Sequence, residues 1–76
     1  FLRGARVLEF GPNSGENALI PALFGARLTL VEPNPQVHPR LTGLFDRFGL
    51  RGQIDRLECQ GVNDFAAAEP FDLVAA

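Results

Sequence analysis

The sequence predicts an α/β protein built on a parallel sheet. Short apolar runs of strand length alternate with stretches whose apolar residues recur at helical spacing. The segments between them are about two to six residues long, the length that βαβ units use. Composition agrees: of 76 residues, 46% are hydrophobic and 21% charged, with 8 Gly and 6 Pro spread as punctuation. That is the make-up of a packed domain and excludes a disordered tail.

Val7, Leu8 and Phe10 form the first apolar run, which stops at the turn-rich cluster Gly11-Pro12-Asn13-Ser14-Gly15. A strand followed by a loop is expected there. Ser14 is the N-cap candidate for a helix from Gly15 to Phe24, where Ala18, Leu19, Ala22 and Leu23 share a face and Gly25 stands at C′. Pro21 removes one of that helix's hydrogen bonds and is expected to kink it. Leu28 to Val31 is continuously apolar, as a strand covered on both faces should be.

Asn34-Pro35 supplies a cap and an N1 proline for a second helix, with His38, just before Pro39, as an alternative start. Its face is Val37, Leu41, Leu44, Phe45 and Phe48. Beyond Gly49 and Gly52, residues Ile54 to Gln60 alternate, with Leu57 and Cys59 on one side and Arg56, Glu58 and Gln60 on the other. Such a strand belongs at a sheet edge. Phe65 to Glu69 is long enough for about one helical turn, and Phe71 to Ala76 is a last strand. Right-handed crossovers then make the sheet parallel.

One Cys and one His exclude an internal disulfide and a Cys-rich zinc site. A net charge of −2 and scattered arginines give no nucleic-acid footprint. No apolar run approaches the ~20 residues of a membrane span, and Phe1-Leu2-Arg3-Gly4 lacks the regions of a signal peptide. A cytoplasmic protein is expected. With no initiating Met and nothing beyond the fourth strand, the chain is read as part of something longer, cut off at Ala76. The rest of the parent chain, or a partner, is expected to cover that strand.

The loop after the first strand is where a glycine-rich sequence can carry chemistry. Glycine permits close backbone approach, and the free N–H groups that open a helix favour an anionic group. In open α/β sheets ligands lie beyond the carboxyl ends of the strands. A dinucleotide fingerprint would need Gly at 11, 13 and 16, and only Gly11 fits. The pattern acidic-x-Gly-x-Gly-x-Gly fits better: Glu9, Gly11 and Gly15 match, and Asn13 tolerates the left-handed backbone better than most residues.

With that loop the chain resembles the class I, S-adenosylmethionine (SAM)-dependent methyltransferases. Four segments carry the resemblance: Val7-Leu8-Glu9-Phe10-Gly11-Pro12-Asn13-Ser14-Gly15, then Leu30-Val31-Glu32-Pro33-Asn34-Pro35, Gly61-Val62-Asn63-Asp64-Phe65, and Phe71-Asp72-Leu73-Val74. It implies a Rossmann-like three-layer α/β sandwich, a parallel sheet in spatial order 3-2-1-4, truncated after the fourth strand, with residues 1–76 as a partial SAM-binding domain. It also implies roles. Gly11, Asn13 and Gly15 would pass under the methionine moiety, with Glu9 near its amino group. Glu32 would accept hydrogen bonds from two ribose hydroxyls, Asp64 from the adenine amine, and Pro33 and Phe65 would flank the ring. Acceptor-side and base residues of the family commonly lie after the fourth strand, so the resemblance names no catalytic residue, no metal ligand and no class of methyl acceptor.

Each of these residues has a plainer reading. Glu9 could be a structural acceptor for loop amides, Gly11 and Gly15 a bare turn, Glu32 a solvated loop acid, and Asn63-Asp64 a turn and helix cap. Asp72 is read as structural, Cys59 as a small core hydrophobe and His38 as a capping or surface residue. For the whole chain the alternatives are an NAD-dependent oxidoreductase, which shares the first half of the fold, and a non-catalytic scaffold.

Overall fold

The computed structural model describes residues 3–61 and 70–75. Its elements run β1 (Arg6–Phe10), α1 (Glu16–Leu23), β2 (Arg27–Val31), α2 (His38–Arg47), β3 (Ile54–Glu58) and β4 (Leu73–Ala75). All the strand pairs are parallel, in the order β3-β2-β1-β4. The expected spatial order is the observed one. The one-turn helix expected at Phe65 to Glu69 lies outside the described residues.

The core forms where one sheet face meets both helices. Val7, Leu28 and Leu30 pack with Ala26, with Ala18 and Ala22 of α1, and with Leu41 and Phe45 of α2. Burying a side chain such as Phe45 or Leu41 contributes about 1.5–3 kcal/mol, and both are fully buried. Thr29 and Val31 point to the opposite face by the strand's period of two and are buried too, so β2 is covered on both sides.

Helix ends depart from expectation in instructive ways. Ser14 is not the N-cap of α1: Gly15 occupies that position, and the Ser14 hydroxyl donates instead to the Glu16 carboxylate at 2.7 Å. Pro21 lies inside α1, whose last residue is Leu23. The Gly25 N–H then donates to the Ala22 carbonyl and the Ala26 N–H to that of Pro21, which satisfies two orphan carbonyls in a Schellman motif.

Both proposed starts of the second helix are used. Asn34 caps a 3-10 turn, Pro35–Val37, by accepting from the Gln36 N–H at 3.0 Å, and the α-helix proper begins at His38. At its other end Phe48 is the C-cap, outside the helical repeat, and is 55% exposed where the periodicity placed it on the core face. Leu50 takes its place: its N–H reaches the Phe45 carbonyl and its side chain packs against the core.

β3 lies at the edge of the sheet, as its alternation predicts, but ends at Glu58. Cys59 is therefore exposed and not a core residue, with Sγ–H donating to the Pro33 carbonyl at 3.4 Å. Between Leu28 and Thr29 the pairing skips Asp55, and this bulge residue forms an ion pair with Arg27. At the opposite edge Arg6 secures β4. Its N–H donates to Asp72 Oδ2 at 2.8 Å, its carbonyl accepts from the Asp72 N–H, and its guanidinium lies 5.0 Å from the Phe71 ring centre. Asp72 is structural, as read. Leu73 and Val74 remain more than half exposed.

Candidate functional site

β1 and β2 pair in register through Phe10 and Val31, so the loops that follow them leave the carboxyl end of the sheet side by side. One further bond, from the Gly11 N–H to the Val31 carbonyl at 2.8 Å, extends the ladder into the loop. The loop then reverses through left-handed backbone at every second residue: Gly11 at φ 67°, Asn13 at φ 54° and Gly15 at φ 96°. Asn13 is the only non-glycine with positive φ among the described residues, which bears out its reading as a tolerated stand-in for glycine.

The two glycines do different things. Gly11 is exposed and a Cβ there would meet nothing within 4 Å, so space is left above its backbone. Gly15 is buried, and a Cβ would come within 3.1 Å of Leu41 Cγ and 3.4 Å of Phe45 Cε1. Gly15 therefore lets the start of α1 close against α2.

Glu32 sits at the junction of the loops and is 5% exposed. Its Oε1 accepts from the Asn13 N–H at 2.9 Å and its Oε2 from the Asn34 N–H at 3.1 Å. Its own N–H donates to the Glu58 carbonyl at 2.9 Å, and its carbonyl accepts from His38 Nε2 at 2.9 Å. The carboxylate thus ties the first loop to the second. It is no solvated loop acid, and the structural role considered for Glu9, acceptor of loop amides, belongs to Glu32. Each carboxylate oxygen offers about two acceptor sites, so each keeps one in reserve.

Glu9 shares the face of Val7, one residue before the loop, level with Leu30 on one side and Ala75 on the other. Partial burial pushes its carboxyl above the ordinary glutamate range. No described residue hydrogen-bonds to that carboxylate. Pro33 is exposed beside Glu32. Asp64 and Phe65 lie outside the described residues.

The bond from His38 to Glu32 had no signal in the sequence, because it depends on the 3-10 turn returning the chain across six residues. A groove of about 420 Å³ between the start of α1 and α2, lined by Ser14, Glu16, Arg40, Leu44 and Arg47 among others, contains none of the expected cofactor residues. The Ser14 hydroxyl bond holds the Glu16 carboxyl below its usual range there. Among the described residues no three metal-ligating side chains converge. No described helix is long and apolar enough to cross a membrane.

No protein-family model matches the chain, and no curated protein does. Solved structures match over nearly all of it. A SAM-dependent methyltransferase from Thiobacillus denitrificans, in complex with S-adenosyl-L-homocysteine, superposes with a TM-score of 0.82 at 23% identity over 95% of this chain and 29% of its own. Protein arginine methyltransferase 10 of Arabidopsis thaliana gives 0.80 at 25% identity over 99% of this chain and 22% of its own. The O-methyltransferase TomG from Streptomyces achromogenes, in complex with SAM, gives 0.76 at 19% identity over 95% and 36%. The fold is that of the class I methyltransferases. This chain spans between 22% and 36% of the length of these three methyltransferases. The tied loops lie at the carboxyl ends of β1 and β2, the end of the sheet at which open α/β folds in general take their ligands.

Proposed function

We propose that this chain is part of a SAM-dependent methyltransferase and that residues 1–76 are a partial SAM-binding domain within it. The observation that carries the proposal is Glu32: a carboxylate fixed at the mouth of two adjoining βα loops, with one acceptor site left on each oxygen. Two vicinal ribose hydroxyls match that pair of sites. The open space over Gly11 leaves room for the rest of the same cofactor.

In this reading the backbone from Gly11 through Asn13 to Gly15 passes under the methionine part, and Glu9 lies near its amino group. Pro33 and Phe65 flank the adenine, whose exocyclic amine donates to Asp64. The cofactor supplies a methyl on a sulfonium centre, so the work of these residues is binding and alignment. Glu32 and the loop amides hold their geometry before any ligand arrives, which lowers the ordering cost of binding. The methyl acceptor is left open in the proposal, and no side chain of this chain is assigned as base. A cytoplasmic location, and coverage of the Leu73–Val74 edge by the rest of the parent chain or a partner, belong to the same proposal.

Isothermal titration of the full-length protein with SAM, S-adenosylhomocysteine and NAD tests it. Micromolar binding of the two sulfur nucleosides and no heat from NAD are expected. Binding of NAD alone would turn the reading to an oxidoreductase, and binding of none to a scaffold.

A further inference from the structure

We infer that His38 is a positioning residue, which orients Glu32 toward the cofactor ribose from the first residue of α2. The inference rests on the SAM reading above and adds to it a residue outside both loops. A carbonyl oxygen can only accept, so in the 2.9 Å contact between His38 Nε2 and the Glu32 carbonyl the imidazole is the donor, from Nε2–H. The Glu32 backbone is then held on both sides of its Cα, by β3 through the Glu58 carbonyl and by α2 through His38. The direction of the side chain follows from that backbone. Its carboxylate, already bound to the Asn13 and Asn34 amides, has little freedom to correct an error. Without the imidazole, the carbonyl beside exposed Pro33 and Asn34 can bond to water, so the fold loses less than the site does.

The test is calorimetric titration of the full-length protein with S-adenosylhomocysteine, with thermal midpoints measured alongside. His38→Leu should bind about three- to tenfold more weakly, the effect of one neutral hydrogen bond. His38→Gln, whose amide N–H reaches about as far as Nε2, should restore affinity to within about twofold of wild type. His38→Asn, too short to reach, should behave as His38→Leu and replaces it if that variant does not fold. Equal affinity for wild type and the Leu or Asn variant overturns the inference. So does a Gln variant no better than Asn at matching thermal midpoints. A wild type that binds neither sulfur nucleoside overturns the SAM reading itself, and this inference with it.

Discussion

Two glutamates stand at the carboxyl end of the sheet, one at the end of β1 and one just past β2, and they live in opposite circumstances. Glu32 is almost fully buried, yet every polar group it has is bonded: two amides on the carboxylate, His38 on the carbonyl, Glu58 on the N–H. Glu9 is half-buried, and no described residue bonds to its carboxylate. Burial costs a carboxylate nothing it cannot recover when donors are built around it, and raises its pKa when they are not. Glu32 is thus part of the fold whether or not a ligand is present. Glu9 is a group that the fold tolerates at a cost, and a cationic ligand group such as the amine of SAM would offset that cost.

Removing the satisfied carboxylate should have the larger effect. Glu32→Ala deletes two charge-assisted bonds, one to the Asn13 amide across the loops and one to the Asn34 amide within its own loop, and should lower unfolding stability by about 1.5–3 kcal/mol. Urea unfolding with an unchanged m-value measures it. A stability equal to wild type would show that the tie between Asn13 and Asn34 carries no load.

Glu9→Gln should act in the opposite direction and more weakly. Because burial raises the folded-state pKa of Glu9, the unfolded chain releases this proton first as pH rises, so stability falls across that interval and stays lower above it. At pH 7 the Gln variant should therefore unfold at higher denaturant than wild type, while binding SAM less tightly. The gain should shrink as pH falls through the raised folded-state pKa and be gone below the ordinary glutamate value of about 4.3. A Gln variant less stable than wild type at pH 7 would mean that Glu9 has found a donor after all.

Much of this was legible in the sequence, and the misses share a cause. Strand order, the left-handed Asn13, the Asn34 cap and the edge position of β3 follow from local chemistry and from the family pattern. Phe48 and Cys59 were misplaced because each lies one residue past the end of a regular element, and Ser14 because it lies two residues before one, where periodicity does not state which way a side chain points. The contrast between Glu9 and Glu32 was out of reach for a different reason. Both are acids at strand ends, and which one meets the loop amides depends on how two loops of different length fold over one another. The Asn13 N–H that Glu32 receives comes from 19 residues away.

The central claim is that Glu32 serves ligand and fold at once, through different lone pairs of the same two oxygens. A thermodynamic cycle tests it most directly: affinities of wild type and Glu32→Ala for S-adenosylhomocysteine and for its 2′,3′-dideoxyribose analogue, each corrected for the fraction folded. The account predicts that wild type loses about 1.5 kcal/mol or more on removal of the hydroxyls and that the Ala variant loses almost none, a coupling of about that size. Equal losses in both proteins, and so a coupling near zero, would contradict it and leave Glu32 as a structural tie alone.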